Sequence, residues 1–311
     1  MRIVAFRSPL GSRLGRVDGD LVRPVDGDLE ALGFPPASDL QAVIAAGPET
    51  WAALERASRG PSATAVPLAS LSLDPPLVPA AIICGGANFA DHLDETHREQ
   101  PTHVEFFVKS PTGVVGPHDD VRMDARLSVK YDYEVELAVI IGRAARDVPR
   151  ERALDHVFGY TIINDVSIRD QQVVPFDPGR FQLRFGEGKS YQDSAPLGPC
   201  VVTADELADP SRLALRTWVD GVLRQNNAMT NIIWDVPALI SYYSSFMTLV
   251  PGLVIACGTP GGPALGSDVE LGADPYGRRD GVQRGAYVAP GQIVECEIEG
   301  IGRLANRYVM A

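Results

Sequence analysis

The sequence predicts an α+β protein with a small N-terminal α/β domain, residues 1–70, followed by a larger mixed-sheet domain, residues 75–311. Three observations predict it. Short apolar runs recur from Ala80 onward, bounded by Gly and Pro turns. Helical patterns between those runs are few and irregularly placed, whereas a doubly wound parallel sheet would alternate the two. A Pro- and Ser-containing stretch, PSATAVPLASLSLDPPLVPA, separates the two regions, and its Pro75, Pro76 and Pro79 favour an extended connector.

In chain order, RIVAF, RLGRV and LVRPV read as short strands within residues 1–33, joined by Gly-Asp and Asp-Gly turns. Residues 38–59 read as one or two short helices. Beyond the connector, AAIICGG, VEFFVKS, YEVELAVIIG, FGYTIIND, CVVTADEL, ALRTWVDG, LVIACG and QIVECEIEG read as strands. Helical patterns fall at 88–99, 149–157, 165–173 and 232–248.

Composition narrows the function classes. Of 311 residues, 45% are apolar and 22% charged, an ordinary globular balance. The net charge of −12 argues against nucleic acid or an anionic membrane surface as partner, since both are polyanions. A small anionic substrate stays open, because cations clustered in a cleft can reverse the local field. Cys84, Cys200, Cys257 and Cys296 show no CxxC pairing and read as buried thiols in a reducing compartment. With no run of ~20 apolar residues, a cytoplasmic protein is expected.

The most informative segment is Lys130–Gly142, KYDYEVELAVIIG. Strand side chains alternate, so Asp132, Glu134 and Glu136 point one way while Tyr131, Tyr133, Val135 and Leu137 point the other. The apolar run that follows belongs to a buried strand. Carboxylates leading into it repel one another and are poorly solvated, so one or more would be protonated unless a cation sits between them. An exposed acidic edge strand is the plain alternative. The sharper reading is an all-oxygen site for Mg²⁺ or Mn²⁺, with Ca²⁺ ranked behind them. Asp165, expected to cap a helix over VSIRDQQ, supplies a third carboxylate. On that helix Asp165, Arg169 and Gln172 share one face, while Asp170 points elsewhere.

Upstream, GGANFADHLDE enters a helix after a Gly-Gly turn. His92 and Glu95 stand three residues apart, close enough for a carboxylate to hold an imidazole as general base. Such a pair is also common as solvated decoration on a polar helix.

The ordered set Asn88–Glu95, Asp132–Gly142, Gly159–Gln172, Gly188–Ser190 (GKS), Pro196–Pro199 (PLGP) and Gly258–Gly262 (GTPGG) resembles the fumarylacetoacetate hydrolase family over residues 80–311. The resemblance implies a mixed β-sandwich roll and a homodimer. It implies metal ligands at Glu134, Glu136 and Asp165, and a His92–Glu95 dyad on a segment that acts as a lid in relatives. It also implies an active-site lysine at Lys189 and substrate contacts from Arg169, Gln172 and Thr259. Departures fall at Phe89 (usually Tyr), Cys257 (usually Thr), Leu253 (usually Asp) and Phe176, where some relatives place a substrate-binding Tyr. The stretch 262–287 is longer than usual and is expected to cap the distal substrate pocket.

The implied chemistry is metal-assisted hydrolysis of a C–C bond in a small 2-oxo or β-diketo acid of acylpyruvate or fumarylpyruvate type. Decarboxylation or isomerisation of an unsaturated oxo-diacid is the alternative on the same site. A non-catalytic, metal-stabilised binding protein is a third reading, against which the intact triad, dyad and lysine speak. GTPGGPALG lacks the strand-to-helix setting of a dinucleotide site, and no G-x-S-x-G elbow is present.

Overall fold

Every side chain of Val135–Ile141 is buried, and so is every side chain of the neighbouring Val157–Asn164. Continuous apolar strands of this kind belong at the centre of a sheet covered on both faces. The computed structural model, which describes residues 1–9, 11–34, 39–59, 64–177, 180–271 and 286–311, places them there. The long sheet runs in the order Val66–Pro67, Leu21–Pro24, Gly11–Asp18, Arg2–Ser8, Ala195–Thr203, Val157–Asn164, Val135–Ile141, Val254–Ala256, Ile82–Gly86, Glu105–Lys109. Val254–Ala256 and Ile82–Gly86 pair in parallel, whereas Val135–Ile141 is antiparallel to both its neighbours. The sheet is mixed, as expected.

A second sheet, Val222–Ala228, Ala214–Val219, Ile293–Ile298, Gly302–Met310, Val121–Met123, packs against the first. Its alternating buried positions, seen in Ala214–Val219 and Ile293–Ile298, mark a sheet with one face in the core.

The N-terminal strands form as read, and Leu40–Ala45 and Pro48–Ala57 are the two expected helices. Arg2–Ser8 pairs with Ala195–Thr203 through Arg2↔Val202 and Ile3↔Val201. Ile3, Leu40, Ile44 and Leu54 share one buried cluster with Ala138, Ile140 and Phe158. Residues 1–70 thus continue the sheet and core of residues 75–311. Among the described residues, no helix is long and apolar enough to cross a membrane.

One local expectation is corrected. Residues 165–168 are not helical, and Asp165 caps no helix. Ser167–Ile168 bridges Tyr131–Asp132 antiparallel, which holds the backbone extended, and a single turn, Arg169–Gln172, follows. Of the long 262–287 stretch, residues 272–285 lie outside the described residues, and with them most of the expected pocket cap.

Candidate metal centre

The register of the two central strands builds the site. Val135 faces Asn164, so Glu134 and Glu136 flank the point where the neighbouring strand delivers Asp165. The Glu134 amide donates to Asn164 Oδ1 at 2.9 Å, and the Asp165 amide donates to the Glu134 carbonyl at 2.9 Å. One carboxylate oxygen from each of Glu134, Glu136 and Asp165 lies within 4.8 Å of the others, and all three residues are buried.

Asp132, the first acid of the expected row, does not join them. The strand breaks after it, and its carboxylate turns to Arg169 Nε at 2.8 Å and to the amides of Ala264 and Leu265 at 2.8 and 3.0 Å. Arg169 in turn binds Glu134 and donates to Gln172 Oε1 at 2.7 Å. Arg169 and Gln172 therefore do reach the cleft beside Asp165, but through a tight turn and not along a helix face. Asp170 points away, to Ser128 and Val129.

The acids are matched by buried cations. Lys189 Nζ lies 2.6 Å from Glu134 Oε2 and 2.8 Å from Asp165 Oδ2. Lys109 Nζ, fully buried, lies 2.7 Å from Asp165 Oδ1 and donates to the carbonyls of Val166 and Lys189. Burial opposes ionisation of Glu134, but Lys189 and Arg169 outweigh it and hold its carboxyl below the usual range. Glu136 goes the other way. Burial, then Asp165 and Glu134, push it well above the carboxylate range, and only the Gly258 amide, at 2.7 Å, meets it. Among the described residues no side-chain cation lies within ion-pair distance of Glu136, and Lys189 pulls it down only from farther off. Three buried oxygen donors, one of them short of positive charge, fit a hard divalent cation of the Mg²⁺ or Mn²⁺ type. Glu134, Glu136 and Asp165 would hold it.

The dyad is formed. His92 Nδ1 and Glu95 Oε1 are 2.7 Å apart, and Glu95 Oε2 accepts the Gly262 amide at 2.9 Å. A carboxylate on Nδ1 fixes the proton there and leaves Nε2 as the basic nitrogen. His92, the triad, Lys189, Arg169, Gln172 and Thr259 all line one cavity of about 300 Å³.

Two contributors escaped the sequence reading and a third was misplaced. Lys109 closes VEFFVKS, and a lysine in phase with an inward-facing position of a strand was the available signal. Asp132 was assigned to the ligand face and instead orients Arg169. Gln225, from the second sheet, donates to Thr259 Oγ1 at 2.7 Å and to the Pro260 carbonyl at 2.8 Å. It also accepts from the Val135 amide at 3.1 Å and from Thr217 Oγ1 at 2.8 Å. All four of its bonding positions are used. Thr259 donates to the Val135 carbonyl at 3.1 Å, so toward the cavity it offers a lone pair. Phe176 is exposed, packs on Arg180 at 5.0 Å and lies outside the cavity lining.

Comparison with known proteins agrees with this architecture. Residues 81–309 match the family described as "Fumarylacetoacetate (FAA) hydrolase C-terminal". Oxaloacetate tautomerase YisK of Bacillus subtilis is 37% identical over 228 residues, 73% of this chain and 68% of that protein. A fumarylacetoacetate hydrolase structure from psychrophilic Exiguobacterium antarcticum superposes with TM-score 0.78 at 32% identity, over 100% of both chains. Maleylpyruvate hydrolase from Sphingobium sp. SYK-6, in complex with manganese(II) ion and pyruvate, does so with TM-score 0.77 at 30% identity, again over 100% of both chains.

Proposed function

The chain belongs to the fumarylacetoacetate hydrolase family, and from that premise we propose that it hydrolyses a C–C bond in a small 2-oxo acid of acylpyruvate type, with Mg²⁺ or Mn²⁺ held by Glu134, Glu136 and Asp165. The observation that carries this reading is the His92–Glu95 dyad, bonded at 2.7 Å and opening on the same cavity as the acidic triad. The maleylpyruvate hydrolase that superposes on this chain holds manganese(II) and pyruvate, which supports both the metal class and a pyruvate-yielding cleavage.

A bound divalent cation would supply Lewis acidity toward the paired oxygens of the 2-oxo acid. His92 Nε2 takes a proton from water while Glu95 steadies the imidazolium through Nδ1. The water oxygen bonds to the distal carbonyl carbon, and the bond from that carbon to the methylene breaks. The electron pair leaves on pyruvate as its enolate, and His92 is placed to return the proton to the methylene carbon. Lys189 and Arg169 put positive charge beside the oxygens that become negative, and the buried setting strengthens that attraction. Gln172, whose Oε1 already accepts from Arg169, turns its amide NH2 to the carboxylate end, and Thr259 joins it by moving its hydroxyl proton from the Val135 carbonyl to the substrate. The chain works as a homodimer in this reading.

A second reading, keto–enol tautomerisation of an oxo-diacid, is favoured by the 37% identity to an oxaloacetate tautomerase. It needs a proton moved between the methylene carbon and the enol oxygen, for which His92 serves as the base, and no water. Product analysis separates the two. With Mn²⁺ supplied, an acylpyruvate should yield pyruvate and a second acid, and EDTA should stop the reaction. Enol loss from oxaloacetate without any C–C cleavage of acylpyruvates would favour the tautomerase.

A further inference from the structure

The cavity has a second half that the metal centre does not explain. Beyond the carboxylates, the cations bound to them and the polar His92, Thr96, Gln172 and Thr259, its lining is aromatic and aliphatic, chiefly Phe107, Phe181, Leu183, Phe185, Leu265 and Leu271. Phe107 and Phe185 stack with ring centroids 4.7 Å apart and planes 5° apart. Phe181 and Leu183 come from the Arg180–Leu183 strand, which folds back on Val173–Asp177 as an outlying hairpin. Phe107, Phe181 and Phe185 are only half-buried and Leu183 is exposed. An open apolar wall above a buried polar floor is a place for the apolar part of a ligand.

The cations lining the cavity are already engaged. Lys189 and Arg169 hold the floor carboxylates. Arg98 is bound to Glu105 through both oxygens, at 2.8 and 3.1 Å. Among the described residues, no other lysine or arginine lines the cavity to meet a second carboxylate at its far end. An unpaired carboxylate pressed against Phe and Leu side chains loses its hydration without compensation.

We infer that this wall selects acylpyruvates whose acyl group is an apolar alkyl or aryl chain, in preference to oxo-diacids. The inference rests on the floor being a 2-oxo acid site and adds what lies beyond the second carbonyl. The reaction is then acylpyruvate plus water giving a fatty or aryl carboxylic acid plus pyruvate. The water oxygen ends on the acyl carbon and its proton on the pyruvate methyl. Such a specificity would set this chain apart from the relatives that act on oxaloacetate and maleylpyruvate.

The test uses the full-length, Mn²⁺-loaded protein with acetylpyruvate, hexanoylpyruvate, octanoylpyruvate, benzoylpyruvate, fumarylpyruvate and oxaloacetate. We expect kcat/KM to rise severalfold per methylene until the wall is covered. The best apolar acylpyruvate should exceed fumarylpyruvate by about tenfold or more. Leu183→Arg, placed on an exposed strand that tolerates a long side chain, should reduce or invert that ratio. A preference for the diacids in the native protein, or an unchanged ratio in Leu183→Arg, would overturn the wall assignment and leave the floor reading intact. Silence on every substrate with Mn²⁺ bound would overturn both.

Discussion

Glu136 and Leu183 line the same cavity, yet they are held in opposite ways. Glu136 stands on a strand with every residue buried, flanked on both sides by other strands. Its neighbours are fixed by backbone register and by ion pairs taken out of water. Leu183 ends a hairpin whose strands, among the described residues, pair only with each other. The contrast assigns the two tasks of an enzyme to different parts of the fold. Reaction type is set where the structure cannot shift without breaking the core. On the proposed reading, substrate choice is set where a side chain changes at little cost to folding.

That division is broken most forcefully from the floor. Glu136→Gln removes a metal donor while keeping shape, and turnover should fall roughly a thousandfold or more, together with Mn²⁺ binding. Steady-state kinetics and calorimetric titration check both. His92→Ala should cost about 10² to 10⁴ in kcat. Its Mn²⁺ affinity should stay near the native value, because His92 bonds to Glu95 and not to the triad. A parallel loss of metal would show that the dyad and the centre are one unit.

Lys109→Met leaves Asp165 without one of its two buried partners. Losing one member of a buried pair costs about 3–5 kcal/mol. Denaturant unfolding of the metal-free protein should show that loss, and added Mn²⁺ should recover part of it.

A gentler probe is pH. Without metal, burial and the neighbouring Asp165 and Glu134 raise Glu136 well above the carboxylate range. The native chain then keeps a proton that the unfolded chain has released above its ordinary carboxylate value. This group's contribution therefore falls as pH rises from the unfolded value toward the folded one. Mn²⁺ must displace the proton, so its apparent affinity should rise with pH and proton release should accompany binding. Titrations in buffers of different ionisation enthalpy measure that release directly. The smallest effect belongs to Phe176→Ala, whose ring meets Arg180 at the surface and does not line the cavity. Activity should stay within about twofold and stability within about 0.5 kcal/mol.

The same contrast explains what the sequence disclosed. Glu134 and Glu136 were legible because acids leading into a buried apolar strand violate the ordinary rule for burial, which a proton or a cation resolves, and Asp165 was legible as the carboxylate ending the next strand. The central strands were legible because continuous Val, Ile and Leu runs leave few alternatives. Asp132 was misplaced because strict alternation assumes an unbroken strand, and the strand is interrupted between Asp132 and Val135. Ser167 and Ile168 looked helical because VSIRDQQ carries helix-compatible spacing. Their pairing with Tyr131 and Asp132 is a long-range contact that local patterning does not contain. The partners of Lys109 and Gln225 were hidden for the same reason, since each acquires them only when distant strands meet, and Lys109 alone left a signal in its inward-facing strand position.

The claim that a buried acidic triad serves metal-dependent cleavage of a 2-oxo acid is tested most directly by one titration. Protein stripped with EDTA is given Mn²⁺ stepwise while acylpyruvate turnover and product identity are followed together. The account predicts no turnover at the start, activity rising in proportion to bound Mn²⁺ until one ion per chain is held, and pyruvate as a product. Glu136→Gln should stay silent throughout. Full activity in the stripped protein, or in Glu136→Gln, would contradict it.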